Sequence, residues 1–148
     1  MTEEELLKKT RQAYYSMLDR CKPTYRGRQY YYDKGIAVCE RWKESFDNFL
    51  KDMKLCGKGL SLDRKNNKEG YHRDNCRWAS ANVQSWNRDW GPYKGVTWFA
   101  QTKKWRARLT YGGKDFFLGY YDDKEKAKEV YDSHARIIDW LIDVELLK

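Results

Sequence analysis

Apolar positions recur at helical spacing in three stretches of the chain and alternate at every second position in a fourth. Leu7, Tyr14, Met17 and Leu18 give a rough apolar face that predicts a helix over Glu3–Leu18. Glu3, Glu4 and Glu5 suit the positive end of its dipole, and Pro23 ends it. A tighter stripe of Trp42, Phe46, Phe49, Leu50 and Met53 predicts one second helix, Glu40–Met53, with those side chains in a core. Residues 24–35 are rich in Tyr, Arg and Gly and read as a loop, with turns at Gly27 and Gly35. Ile36–Cys39 reads as a short strand. Gly57 and Gly59 break the second helix. Leu60–Leu62 and Cys76–Trp78 read as two more short strands around the polar turn Asn66–Gly70. Ser80 then serves as the N-cap of a helix over Ser80–Arg88.

The period changes after Gly91–Pro92, which is therefore the expected domain boundary: Pro blocks helix continuation and Gly supplies a turn. Trp105, Ala107 and Leu109 point one way; Lys104, Arg106, Arg108 and Thr110 point the other. Gly112–Gly113 marks a hairpin turn. Phe116 and Leu118 alternate with Phe117 on the returning strand. Asp122–Asp123 caps a last helix whose buried face is Ala127, Val130, Tyr131, His134, Ile138 and Leu141. The predicted class is α+β: a small strand–strand–helix module with preceding helices over 1–90, then a three-stranded antiparallel sheet packed on one helix over 91–148. The helix covers only one sheet face, so Trp105 and Phe116 read as core, and Arg106 and Arg108 stand open on the other face without an evident partner.

Composition sharpens this picture. The 148 residues are 41% apolar and 35% charged, with seven Trp, twelve Tyr and five Phe, so a small core is built largely from rings. Net charge is +8. Residues 93–114 hold six bases and no acid, residues 54–88 hold eight bases and three acids, and the last 34 residues reverse the balance with nine acids and five bases. Basic zones interleaved with aromatics favour a polyanion partner, while charge alone leaves that reading level with a solvated charged surface. No apolar run spans a membrane, and Met1–Lys9 lacks a signal-peptide core, which predicts an intracellular protein. Cys21, Cys39, Cys56 and Cys76 form no Cys-x-x-Cys pair; they read as buried free thiols, and no zinc is expected.

Tyr93-Lys94-Gly95-Val96-Thr97-Trp98, Lys104-Trp105-Arg106-Ala107-Arg108-Leu109, Phe117-Leu118-Gly119-Tyr120-Tyr121, Ala127 and Tyr131-Asp132 together resemble the Apetala-two (ethylene-response-factor) DNA-binding domain over roughly 50 residues. The resemblance implies a sheet that reads the major groove of double-stranded DNA, with family contact positions at Lys94, Thr97, Arg108, Thr110 and Phe117. Trp98, Lys104, Arg106 and Lys114 complete the expected DNA-binding set. Thr97 and Thr110 offer short neutral contacts, and Phe117 replaces a Trp, so no plant target sequence carries over.

Leu62-Asp63-Arg64, Gly70-Tyr71, Asn75-Cys76-Arg77-Trp78-Ala79, Gln84 and Asn87-Arg88 resemble the HNH, or His-Me finger, endonuclease motif of phage and mobile-element proteins. The upstream Gly35-Ile36, Val38-Cys39, Arg41-Trp42, Ser45-Phe46 and Phe49-Leu50 resemble leader segments seen with it, and the pairing with an Apetala-two domain is familiar in phage-type homing nucleases. The resemblance implies a phage-encoded protein of a bacterial cytoplasm that cleaves or nicks DNA with one Mg²⁺ or Mn²⁺. Asp63 and Asn75 would be the metal ligands, and Asn87 matches the motif's last Asn. Arg64 stands where the family places the general-base His. Arg is a poor base, so Arg64 would instead clamp the scissile phosphate. His72 is the one neutral-range base nearby and otherwise reads as an exposed turn residue. Three functions stand: the nuclease; a non-cleaving DNA-binding repressor or accessory factor on a degenerate nuclease fold; and a phage inhibitor that binds a host nucleic-acid enzyme.

Overall fold

The computed structural model describes residues 1–146, with side chains described to residue 144. The chain is α+β and divides into two compact units, Met1–Asn87 and Arg88–Lys148. The division falls just before the expected Gly91–Pro92 break.

In the first unit, α1 (Glu3–Arg20) starts with a capping box: Thr2 accepts from the Glu5 amide, and the Glu5 carboxylate accepts from the Thr2 amide. The predicted single helix over Glu40–Met53 is in fact two, α2 (Glu40–Glu44) and α3 (Phe46–Met53). Ser45 separates them. It is extended at φ −160°, and its hydroxyl accepts from the Asn48 amide at 3.2 Å to cap α3. Apolar periodicity survives such a break because Trp42, Phe49 and Met53 still reach one core, joined by Tyr14, Met17, Ile36, Val38, Tyr71 and Cys76. Polar atoms of the core rings are bonded: the Tyr14 hydroxyl donates to the Trp42 carbonyl at 2.8 Å, and the Trp78 indole donates to the Met53 carbonyl at 2.7 Å.

The expected strand at Ile36–Cys39 reduces to one parallel bridge, Val38 with Tyr71. It holds because Gly70 lets the chains close up: a Cβ there would sit 2.3 Å from the Ala37 carbonyl oxygen. β1 (Ser61–Arg64) and β2 (Cys76–Ala79) form an antiparallel pair in which Asp63 opposes Arg77 and Arg64 opposes Cys76. Ser80 then caps α4 (Ala81–Trp86), accepting from the Val83 amide. The strand–strand–helix order is thus present.

The second unit is a three-stranded antiparallel sheet, β3 (Val96–Phe99), β4 (Lys104–Tyr111) and β5 (Lys114–Tyr121), in that order, packed on α5 (Lys124–Leu146). Asp123 caps α5 by accepting from the Glu125 amide at 2.8 Å. Val96, Ala107 and Leu109 are buried beneath Ala127 and Tyr131. Two helix positions and one strand position differ from expectation. His134 is exposed, its ring bonded to the Val130 carbonyl, and Leu141 is exposed, while Ile142 is the buried residue. Ile142 lies on the same side of the helix as Tyr131, about three turns on, whereas Leu141 falls about 80° away from it. Phe116 opposes Leu109 on the helix side but is 45% exposed, because β5 is an edge strand that α5 covers incompletely. Among the described residues no helix is long and apolar enough to cross a membrane.

Candidate functional site

Two surfaces carry the residues singled out in the sequence, one in each unit. Alternation along β1 and β2 sorts the first set. Leu62 and Arg64 share a face with Trp78 and Cys76, toward the core; Ser61 and Asp63 share the other with Ala79 and Arg77, beneath α4. From α4, Gln84 donates to the Ser61 hydroxyl at 2.5 Å. Just past α4, the Asn87 amide donates to the Arg64 carbonyl at 2.6 Å and lies 3.5 Å from Asp63 Oδ2.

Asp63 is therefore brought to Asn87. The Asn75 side chain is 3% exposed and wholly engaged with the β1–β2 loop. Its oxygen accepts from the Asn66 amide at 2.9 Å, and its nitrogen donates to the Asn66 and Gly70 carbonyls at 3.1 and 2.8 Å. The Asn75 amide thus clasps the β1–β2 loop. Asp63 has a cationic partner instead. Arg77 Nε donates to its Oδ2 at 3.1 Å, with the two side chains only 14% and 11% exposed.

Arg64 is the last residue of β1. It is buried, and its guanidinium donates to the carbonyls of Asn67 at 3.0 Å and Glu69 at 2.7 Å. The rings of Tyr31 and Tyr71 flank it, with centroids 5.4 and 5.1 Å away. His72 is half-buried and faces Glu69 at 3.4 Å. The donor set shown around Asp63 suits a divalent ion poorly, because its carboxylate is already paired with Arg77. No cluster of three His, Cys, Asp or Glu that could hold a metal occurs among the described residues.

The four cysteines are free thiols. Cys56 and Cys76 are buried and Cys21 and Cys39 partly so. Burial pushes the Cys21, Cys56 and Cys76 thiols up, that of Cys76 to about 12.

The second surface is the sheet face turned away from α5. Register aligns its rows. Phe99 lies opposite Lys104; Thr97, Arg106 and Tyr120 form the next row; Arg108 lies opposite Phe117; Thr110 lies opposite Asp115. A bulge between Ala107 and Arg108 shifts the β5 register, which brings both Phe117 and Tyr120 onto this face. Trp98 lies on the other side. It opposes Trp105 on the parity of Val96 and Ala107, and the two indoles meet edge to face at 5.3 Å.

Arg106 is half-buried rather than fully open. Phe99 reaches across it to Tyr120, the two rings stacked at 5.5 Å and 21°. Its guanidinium lies 5.1 Å from the Phe99 centroid and donates weakly to the Thr97 hydroxyl at 3.4 Å, while its Nε is buried without a partner. Arg108 is exposed but does have a partner, Asp115, which also accepts from Thr110. Those two bonds, Thr110 first and Arg108 second, hold the Asp115 carboxyl below its usual range. Lys104 pairs with Asp122 at 3.3 Å. Lys114 is exposed at the hairpin tip, opposite Tyr111. Lys94 precedes β3; partial burial lowers its ammonium pKa, against the Asp139 carboxylate of α5, which raises it.

Phe99, Tyr120 and Asp115 were missed in the sequence. Phe99 and Asp115 carry a readable signal, since strict alternation places them with Thr97 and Thr110. Tyr120 carries none, because only the bulge decides its side. No family model matches the chain, and comparison with curated proteins and with solved structures finds no match.

Proposed function

We propose that the chain is a DNA-binding protein whose C-terminal sheet is the contact surface and whose N-terminal strand–strand–helix unit is a non-cleaving relative of the HNH scaffold. The observation that carries the DNA reading is the sheet face itself. The acid-free stretch 93–114 folds so that Lys104, Arg106 and Arg108 share the face that α5 leaves uncovered. The carboxylates beside Lys104 and Arg108 do not argue against this. Exposed ion pairs are weak, so a phosphate can replace Asp122 or Asp115 at small cost. The resemblance to the Apetala-two domain supports the same face, and a bacterial, phage-encoded setting follows only from the family resemblances.

The non-cleaving reading rests on the first unit. A phosphodiesterase needs a base for its water and an electrophile for the leaving oxygen. Arg64 occupies the base position and is built into the hairpin; His72 is engaged with Glu69; Asp63 is engaged with Arg77. The approach of Asn87 to Asp63 favours a second reading, a Mg²⁺- or Mn²⁺-dependent nicking enzyme in which that pair would bind metal after Arg77 gives way. One pair of assays tests both. Binding to a duplex should fall with Lys104→Ala and Arg108→Ala, and the slope of log affinity against log salt should flatten by roughly 0.9 for each phosphate no longer neutralised. Unchanged affinity in both would remove the sheet as the contact surface. Supercoiled plasmid should stay intact with Mg²⁺ or Mn²⁺; nicking that disappears in Asp63→Ala would establish the enzyme instead.

A further inference from the structure

The open sheet face has at its centre rings rather than charges. Phe99, Tyr120 and Phe117 form a continuous strip, with centroids 5.5 Å apart for the first pair and 5.0 Å for the second. Phe117 is 59% exposed and Tyr120 38%, on a face that no helix covers. Such rings contribute little to folding where they stand, since apolar area left in water gains nothing. The cation beneath them, Arg106, is roofed by Phe99 and does not present its full fork to a base edge. Lys104 lies in the Phe99 row and Arg108 in the Phe117 row, so one accessible cation flanks each end of the strip.

We infer that this strip stacks the unpaired bases of single-stranded DNA, with Lys104 and Arg108 holding the phosphates on either side. The inference rests on the reading of this face as a DNA-contact surface and names the strand state that it takes. In a duplex each base face is already covered by its neighbours, and only edges are presented in the grooves. An exposed ring gains little from an edge. It gains most from a free base face, and it does so with any sequence because every base has one. The rows from Lys104 to Arg108 span about 13 Å of strand, room for only a few nucleotides. The face therefore suits a gap, a tail or another short unpaired segment. The positive charge of residues 93–114 argues against the other occupant such a patch could take, an apolar protein surface.

The test is fluorescence anisotropy of the full chain with labelled oligo-dT, a duplex of the same length and oligo-rU at one salt concentration. Oligo-dT is expected to bind more tightly than either of the others. Phe117→Ala and Tyr120→Ala should each weaken oligo-dT binding by roughly 5- to 100-fold and change duplex binding by less than about twofold. Phe117→Trp should keep the affinity, because it keeps a ring. Phe117 is exposed, so its Ala variant should retain the wild-type circular dichroism spectrum. Oligo-dT binding that is abolished by Lys104→Ala and Arg108→Ala but unmoved by both ring variants would overturn stacking and leave the DNA face standing. Tighter binding of the duplex or of oligo-rU would overturn the assignment to single-stranded DNA. No binding to any of the three would overturn the proposed function as well.

Discussion

Arg77 Nε lies 3.1 Å from Asp63 Oδ2, across the β1–β2 pair and beneath α4, where both side chains are almost out of water. This relationship decides the character of the first unit. A carboxylate that the resemblance assigns to a metal is held by a neighbouring strand's guanidinium. Removing one partner of a nearly buried pair leaves an uncompensated charge, whereas removing both can be close to neutral. Arg77→Met should therefore destabilise the first unit by about 3 kcal/mol. The double variant Asp63→Asn with Arg77→Met should lose clearly less than the two single variants summed. Urea unfolding of the four proteins measures this, and strict additivity would mean that the two charges do not couple.

Arg64 gives a prediction that separates shape from chemistry. Its guanidinium supplies donors to the Asn67 and Glu69 carbonyls and fills the space between Tyr31 and Tyr71. Arg64→His introduces the residue type of the base in the HNH motif that this segment resembles but removes these bonds. The variant should lose about 2 kcal/mol of stability, as expected for a broken buried hydrogen-bond group. It should also gain no plasmid-nicking activity with Mn²⁺. Activity appearing in Arg64→His would show that the site lacks only its base.

Gly95 is the tightest point of the second unit. Its φ is +73°, and a Cβ there would lie 2.1 Å from the Tyr131 ring and 2.5 Å from the Arg108 carbonyl oxygen. Positive φ and overpacking act together, so Gly95→Ala should cost about 3 kcal/mol. Because β4 and α5 meet at this point, the loss should appear in the melting of the sheet unit and weaken the proposed DNA binding with it. A full-affinity, fully stable Gly95→Ala protein would contradict the close packing of Tyr131.

Cys76 sets a pH dependence. Burial raises its thiol from 9.0 to about 12, so the unfolded chain loses this proton first as the pH rises. Its contribution to stability is whole below about pH 9 and declines from there until about pH 12, at no more than about 1.4 kcal/mol per pH unit. Cys76→Ala should show a shallower fall of stability over that window, measured as the difference between the two pH profiles. In the native protein at pH 8 the thiol should resist alkylation, and prompt modification there would contradict its burial.

Much of the frame was written in the pattern of apolar positions. The period of two after Gly91–Pro92, the Gly112–Gly113 turn and the Asp123 cap determined the hairpin and the last helix, because each rests on local geometry that the residues carry with them. The stripe through Trp42, Phe49 and Met53 determined the first core in the same way. The break at Ser45 was invisible, since a cap replaces one turn of helix without disturbing the apolar side.

What the residues do was decided by tertiary structure. Nothing local in the sequence says that Asn75 spends both ends of its amide on Asn66 and Gly70, or that Asp63 meets Arg77 and Asn87 rather than Asn75. Those pairings depend on strand register and on where α4 ends. Likewise, alternation alone gave Arg106 and Arg108 one face, but the reach of Phe99 over Arg106 and the bulge that turns Phe117 and Tyr120 to the same side arise only when three strands lie together. A side chain's direction is local, and the sequence determined it; its partner is set by residues distant in the chain, and only the folded packing could choose it.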